Sequence, residues 1–209
     1  MNTVVATFFF KKGIALDVSS FLRKKFLLAR DGLHIRDRRS MSCAIAQKIL
    51  LLEELINRDT IFIYVDFRSE VETTLLIAEL IRRGKRVVVP VTLVKEKRLL
   101  PVEIRDLEKD LVPGYCSIPE PRMELRKSNL VPGNEVETII LPGSVFDERG
   151  GRLGYGGGFY DRFMAYEAPR AKRIGLAFEL QMVDRLSLQA HDEMLDLIVT
   201  EKRIIQGIR

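Results

Sequence analysis

Side chains that often carry catalysis or bind metals are scarce in this chain. Its 209 residues include two cysteines and two histidines, and tryptophan is absent. Cys43 and Cys116 are far apart, which excludes a disulfide framework or a cysteine metal cluster and is ordinary for a reducing compartment. The positions of His34 and His191 support neither a Ser-His-Asp nor a Cys-His arrangement. The sequence therefore does not indicate a hydrolase with a histidine base.

Long apolar runs are also missing. No segment approaches the roughly 18 consecutive apolar residues that a membrane-spanning helix needs. The apolar stretch near the start is short, is followed by lysines, and lacks the basic region and cleavage pattern of a secretory signal. We therefore expect a cytoplasmic protein in which residues 1–18 form an N-terminal extension, either a ragged first strand or a disordered segment.

Apolar content and positive charge are the main features of the composition. With 46% apolar residues in 209, the chain can bury a full core as one domain. Thirty-four basic and 29 acidic residues give a net charge of +5, which favours polyanionic partners such as ATP, phosphorylated metabolites, polyglutamate tails or RNA. An ordinary basic surface that binds no partner would give the same net charge.

Apolar runs typical of β-strands alternate with helical periodicity along most of the chain. Strands are predicted at 60–66, 85–91, 136–142, 172–180 and 196–200, and helices at about 19–30, 41–56, 71–84 and 159–168. Asp37 or Ser40 is the predicted N-cap of the second helix. Segment 95–135 holds five of the eight prolines and is predicted to be irregular.

The order strand, helix, strand predicts a parallel βαβ unit. We expect a single Rossmann-like α/β domain over residues 19–209, with three α/β/α layers and a mostly parallel, mixed sheet. In such sheets the loops at the carboxyl ends of the strands gather into a crevice. The loops 66–72, 142–161 and 179–192 all carry carboxylates, so we expect them to converge.

The segment RLGYGGGFYDRF, residues 152–163, is rich in glycine. Glycines allow backbone N–H groups to face a phosphate closely, and a helix that begins at Phe159 would add its dipole. A solvent-facing hairpin is the alternative interpretation. A P-loop does not fit, because Gly84-Lys85 is followed by a strand and not by a helix. A Rossmann fingerprint does not fit either, because the segment PGSVFDERGG separates the glycine-rich segment from the preceding strand.

Charged residues surround the glycine segment. Asp161 and Asp192 could share a Mg²⁺ ion that bridges phosphate oxygens, although helix capping or a surface position would explain each of them. Asp147 is interpreted as a turn former. The arginines that bracket the glycines are Arg149, Arg152 and Arg162, and seven basic residues lie between 23 and 39. One or two of those seven could face the crevice, but the sequence does not identify which.

The segment LPGSVFDERGGRLGYGGGFYDRFM resembles the signature of the 5-formyltetrahydrofolate cyclo-ligase family. The matching residues are Pro142, Gly143, Phe146, Asp147, Gly151, Arg152, Leu153, Gly154, Gly156, Gly158, Tyr160 and Asp161. EVET at 70–73, IPEP at 118–121, AFELQ at 177–181 and HDEMLDLIVTE at 191–201 follow in the family's order. The resemblance implies a three-layer α/β fold and an ATP- and Mg²⁺-dependent conversion of 5-formyltetrahydrofolate, with or without a polyglutamate tail, to 5,10-methenyltetrahydrofolate.

The resemblance also implies roles for individual residues. Arg152 and Tyr160 would be catalytic, and Asp161 and Asp192 would bind Mg²⁺. The implied ATP contacts are Ser19, Arg23, Arg152, Leu153, Gly154, Tyr155, Gly156, Gly157, Gly158, Phe159 and Tyr160. The implied folate contacts are Val65, Glu70, Tyr155, Gly156, Gly157, Gly158 and Phe159.

Two positions depart from the family pattern. Ser19 stands where the family usually has a lysine, which Lys24 or Lys25 could replace, and Gly157 stands where some members have lysine. A rival hypothesis is therefore a non-catalytic member of the same fold that binds folate or RNA. The sequence has no RNA-binding motif, so nucleic acid is not expected as a partner. A third hypothesis, which rests on fold analogy alone, is a sugar-phosphate isomerase. We expect the protein to be a monomer.

Overall fold

The computed structural model describes residues 17–209, so the predicted N-terminal extension lies almost entirely outside the described residues. The α-helices are α1 Val18–Asp31, α2 Ile35–Ile49, α3 Glu53–Ile56, α4 Thr74–Arg82, α5 Leu107–Asp110, α6 Leu125–Ser128 and α7 Phe159–Arg162. Short 3₁₀ turns span Tyr115–Ser117, Gly133–Glu135 and Glu179–Gln181, and α7 continues as a π-helix over Phe163–Glu167.

The strands form one large sheet and two small ones. They are β1 Thr60–Ile63, β2 Arg86–Leu93, β3 Arg98–Ile104, β4 Leu111–Pro113, β5 Pro119–Pro121, β6 Thr138–Leu141, β7 Val145–Asp147, β8 Arg152–Leu153, β9 Lys172–Leu176, β10 Met182–Val183, β11 Leu197–Val199 and β12 Ile204–Gln206. The large sheet has seven strands in the order β12-β11-β9-β6-β1-β2-β3. Its five inner strands are parallel, whereas β12 and β3 pair antiparallel at its two edges.

Apolar side chains on the two faces of the large sheet form separate cores. On one face Ile45 of α2 and Ile77 of α4 are fully buried against the strands, and on the other face Phe163 packs on Phe62 with ring centroids 4.5 Å apart. The predicted three-layer, mostly parallel α/β fold is confirmed. A third, smaller core joins α1 to β7 and β8 through Leu22, Phe26, Val145 and Leu153.

The predicted start of the second helix was wrong. Helix α2 begins at Ile35, six residues before Met41, and its N-cap is His34, whose Nδ1 accepts a hydrogen bond from the Arg36 amide at 3.2 Å. Histidine is not among the usual N-cap residues, so residue type alone indicates Asp37 or Ser40 instead. The helix also ends at Ile49, and a separate short helix, α3, follows.

The prediction that segment 95–135 is irregular was wrong for its first part. Strand β3 pairs with β2 in a continuous antiparallel register that includes Pro90 opposite Pro101. Pro101 is tolerated because β3 is an edge strand, and Pro90 lies beyond the three residues of β2 that pair with β1. The rest of the segment consists of short helices, turns and the β4–β5 pair. Within residues 17–209, no helix combines the length and apolar character needed to cross a membrane.

Helix α4 offers a direct test of the core. Ile77 is fully buried and Leu75, two residues away, is 76% exposed. We predict that Ile77→Ala lowers the free energy of unfolding by about 2–5 kcal/mol because it leaves a cavity. Leu75→Ala should change it by no more than about 0.5 kcal/mol. Urea unfolding of both variants measures the difference, and equal losses would contradict the described packing.

Candidate functional site

A cavity of about 460 Å³ opens at the carboxyl ends of the parallel strands. That volume lies within the range of about 300–1,000 Å³ that is usual for small-molecule sites. Its polar lining residues include Arg23, Glu70, Thr92, Glu120, Arg152, Asp161, His191 and Asp192, and its apolar lining residues include Val65, Phe67, Leu99, Ile118, Leu153 and Phe159. The three loops that follow β1, β6 and β9 all contribute, as the topology predicts.

The glycine loop, residues 154–158, forms one wall of this cavity. Gly156 and Gly158 have φ of +93° and +63°, a backbone conformation that suits glycine. Within residues 17–209, the amides of positions 155–158 donate no hydrogen bond to a backbone or side-chain acceptor. Phe159 begins helix α7, as predicted, directly after the loop. These four amides are therefore without a partner among the described residues, in a loop that lines the cavity.

An ion pair joins the residues that flank this loop, Arg152 before it and Asp161 after it. Nη2 of Arg152 lies 3.0 Å from both carboxylate oxygens of Asp161, and Nη1 donates to the Pro142 carbonyl at 3.1 Å. Arg152 is 3% exposed, and its Nε is one of three buried side-chain nitrogens without a partner among the described residues. Arg152, predicted to contact ATP, and Asp161, predicted to bind Mg²⁺, therefore form an ion pair with each other. The sequence did not predict this pair.

Tyr160 lies between this ion pair and the core. Its ring contacts the Phe62 ring edge-on, with centroids 6.4 Å apart, and the Arg152 guanidinium lies 5.9 Å from its centroid. Burial, with a contribution from the Glu70 charge, raises the pKa of the Tyr160 hydroxyl well above its usual value. The hydroxyl therefore stays protonated at neutral pH and can act as a hydrogen-bond donor at the cavity.

Glu70 is a buried carboxylate on the loop after β1, which also lines the cavity. Its Oε1 accepts a hydrogen bond from the Tyr155 hydroxyl at 2.5 Å, and its Oε2 accepts one from the Phe67 amide at 2.8 Å. Burial raises its pKa to about 7, although the Tyr155 hydroxyl and the Arg30 charge oppose that rise. The carboxylate consequently titrates in the neutral range. Tyr155 thus links the glycine loop to the loop after β1.

The two carboxylates predicted to bind Mg²⁺ both belong to residues that line the cavity. Asp161 and Asp192 both line it, and Asp192 Oδ2 accepts from the Gln189 amide at 2.7 Å. Among residues 17–209, no group of three or more His, Cys, Asp or Glu side chains is placed to hold a metal ion. Mg²⁺ commonly takes one or two carboxylates and completes its shell with phosphate oxygens and water. The donor set therefore suits a metal that arrives with phosphates.

Helix α1 brings one predicted side chain to the site. Arg23 lines the cavity and its Nε donates to the Gly154 carbonyl at 2.9 Å. Ser19 lies one turn earlier and is not among the lining residues, while Lys24 and Lys25 are exposed. Contacts of Ser19 and of the two lysines with a nucleotide remain predictions.

Asp147 has the structural role that the sequence predicted. Its fully buried carboxylate accepts from the amides of Arg149, Gly151 and Leu186 at 2.8–3.0 Å, and these bonds hold the turn before the glycine loop. Arg162 fastens the far end of the loop, since it donates to the carbonyls of Gly157 and Lys97. Both residues shape the loop and neither lines the cavity.

Sequence reasoning missed two parts of the site. Arg30 is one of the seven basic residues between 23 and 39, and the sequence gives it no role, but in the structure it is 2% exposed and bonded to Tyr155. The segment 115–120 lines the cavity although it lies in the region predicted to be irregular. The first part was missed because tertiary packing decides which face of α1 turns inward. For segment 115–120, only the resemblance at IPEP gave a signal.

Comparison with known proteins identifies the fold and the family. The solved structure of 5,10-methenyltetrahydrofolate synthetase from Aquifex aeolicus superimposes with a TM-score of 0.80 at 29% identity, covering 92% of this chain and 94% of that one. A 5,10-methenyltetrahydrofolate synthetase from Mycoplasma pneumoniae, 22% identical, shares the fold with a TM-score of 0.69 over 88% of this chain and 98% of that one.

Curated relatives agree in sequence over most of their length. The 5-formyltetrahydrofolate cyclo-ligase of Escherichia coli K12 is 29% identical over 183 residues, which is 84% of this chain and 96% of the relative. That of Mus musculus is 26% identical over 91% of this chain and 93% of its own. The model of the 5-formyltetrahydrofolate cyclo-ligase family matches residues 16–201. The chain, with its glycine loop and carboxylates at the sheet's carboxyl edge, belongs to the 5-formyltetrahydrofolate cyclo-ligase family.

Proposed function

We propose that this chain converts 5-formyltetrahydrofolate to 5,10-methenyltetrahydrofolate with MgATP. The formyl oxygen takes the γ-phosphoryl group and ADP leaves. N10 then bonds to the formyl carbon as it loses its proton, and the C–O bond breaks to release phosphate. The observation that carries the proposal is that free loop amides, two arginines and four carboxylates meet at one cavity in a member of this family.

The glycine loop supports the nucleotide part of the proposal. Unpartnered amides at positions 155–158 suit phosphate oxygens, because successive backbone N–H groups attract anions. Arg23 and Arg152 add positive charge at the same wall, although each already holds a carbonyl of the chain. In the proposal the backbone amides bind the phosphates, and the arginines orient the loop and neutralise charge.

Asp161 and Asp192 would hold Mg²⁺ in the proposal. The ion supplies charge neutralisation at the phosphate oxygens. Asp161 is bound to Arg152 in the structure, so the same carboxylate would serve a guanidinium and a metal ion. The buried Nε of Arg152 has no partner among the described residues. In the proposal it donates to a phosphate oxygen, which is the catalytic role of Arg152.

The other side of the cavity supports folate binding. Val65, Phe67 and Leu99 give it an apolar lining that suits a pterin ring, and Glu70 adds an acceptor for ring N–H groups. Tyr160, held protonated by burial, would donate a hydrogen bond to the formyl oxygen or the transferred phosphoryl group. Placing two bound molecules in line supplies most of the catalysis that phosphoryl transfer needs.

A coupled assay tests the reaction. Purified protein mixed with 5-formyltetrahydrofolate and MgATP should form the methenyl chromophore and ADP in equal amounts, and omission of ATP should abolish both. Absence of both products at high protein concentration would refute the proposal. Salt-sensitive RNA binding in that case would favour the non-catalytic alternative.

Asp161→Asn tests the metal ligand. The substitution removes one negative charge next to the proposed Mg²⁺, so we expect at least a tenfold loss of turnover and a higher Mg²⁺ concentration for half-maximal rate (about 1.4 kcal/mol per factor of ten). Asp184→Asn is the matched control, because Asp184 is exposed and lies outside the cavity. An Asp161→Asn enzyme with unchanged Mg²⁺ dependence and circular dichroism would remove Asp161 from this role.

The two cysteines test the position of the site. Both are exposed, but Cys116 lines the cavity and Cys43 lies on α2 outside it. A bulky maleimide should therefore inactivate the wild type and the Cys43→Ser variant, because the adduct occupies the cavity mouth. The Cys116→Ser variant should keep its rate, and MgATP with folate should slow the reaction at Cys116. Equal inactivation of both variants would contradict the assignment.

A further inference from the structure

Arg30 connects four parts of the structure from a buried position. It lies on α1 and is 2% exposed. Its Nε donates to Ser69 Oγ at 3.0 Å, its Nη1 to the Gly143 carbonyl at 3.3 Å, and its Nη2 to the Tyr155 hydroxyl at 2.8 Å. One guanidinium therefore joins α1 to the loop after β1, the loop after β6 and the glycine loop.

The chemistry of a guanidinium fixes the direction of the next hydrogen bond. Arginine has donors and no acceptor, so the oxygen of the Tyr155 hydroxyl must accept from Arg30. The single proton of that hydroxyl is then directed to Glu70 Oε1, 2.5 Å away. The second oxygen of Glu70 accepts from the Phe67 amide. Both carboxylate oxygens are thus used as acceptors.

We infer that Arg30 is a positioning residue that acts through the Tyr155 hydroxyl: it orients the tyrosine proton toward Glu70 and keeps the Glu70 carboxylate an acceptor at the cavity wall. The use of this arrangement in turnover rests on the proposed function. In that reaction N10 loses a proton during ring closure and the methenyl product carries positive charge. An accepting carboxylate suits both changes.

The groups around Glu70 show what removal of Arg30 would do. Burial is the largest influence and raises the Glu70 pKa, and the Asp66 charge raises it further. The Tyr155 hydroxyl, the Arg30 charge and the Phe67 amide lower it. Tyr64 and Tyr160 also face Glu70, and its charge helps to raise the pKa of each hydroxyl. Without Arg30, the oxygen of the Tyr155 hydroxyl can instead accept a hydrogen bond from a protonated Glu70 carboxyl, so the protonated form becomes more favoured.

Direct titration of Glu70 tests the inference without any turnover. The carboxyl carbon of ¹³C-labelled Glu70, assigned by its loss in Glu70→Gln, is followed by NMR between pH 5 and 9. We expect the midpoint to rise by about one unit or more in Arg30→Met and in Tyr155→Phe. Tyr155→Phe removes one hydroxyl from a loop residue that is 48% exposed, so it provides the test if Arg30→Met fails to fold.

Arg38→Met is the matched control. Arg38 pairs with Glu72 on the same loop at 3.4 Å and makes no contact with Tyr155, so its loss removes a nearby charge without touching the hydroxyl. The inference is overturned if Glu70 titrates alike in the wild type and in Tyr155→Phe. It is also overturned if Arg38→Met and Arg30→Met shift the midpoint equally, since the effect would then be general charge.

The pH profile of kcat/KM adds the functional readout. In Arg30→Met the acidic limb should move to higher pH, so that a rise of one unit from a pKa of about 7 lowers kcat/KM about ninefold at pH 6 but only about twofold at pH 8. Arg30→Lys keeps a charged donor and should recover part of the loss. A uniform loss at every pH would overturn the role in turnover. A wild type without cyclo-ligase activity would refute the proposed function. The titration of Glu70 would still test whether Arg30 donates to Tyr155 and Tyr155 to Glu70.

Discussion

The pair between Arg152 and Asp161 is the constraint on which the site depends. It joins the first and last residues of segment 152–161, and the Pro142 carbonyl anchors the guanidinium to the end of β6. A short glycine-rich segment held at both ends loses much of the conformational entropy that glycine would otherwise retain. The amides at 155–158 can therefore remain free of partners and still be ordered for a ligand.

The two walls of the cavity differ in their electrostatic character. At the glycine loop, amides, Arg23 and Arg152 offer positive potential, and Asp161 and Asp192 balance it near the proposed metal. At the wall formed after β1, burial and hydrogen bonding decide the state of Glu70. A phosphate donor and a ring-closing substrate need these two environments side by side, which the carboxyl edge of a parallel sheet provides.

Much of this arrangement could be predicted from local patterns. The βαβ unit, the glycine loop and the turn at Asp147 follow from periodicity and residue type, and the convergence of three loops follows from sheet topology. Strand β3 could not be recognised, because its proline resembled a loop signal and only the edge position makes it acceptable. The choice of Arg30 among seven basic residues required knowledge of how α1 packs.

The edge formed by β3 also affects how the molecule meets its own copies. Pro101 has no N–H to offer, and segment 129–131 already bonds along that side through the Asn129 carbonyl and the Val131 amide. An edge strand with open N–H and C=O groups is a template for pairing with another chain. Pro101, which made the strand hard to recognise in the sequence, also removes one hydrogen-bond donor from this edge. The edge of the large sheet is therefore a poor template for an eighth strand from another copy.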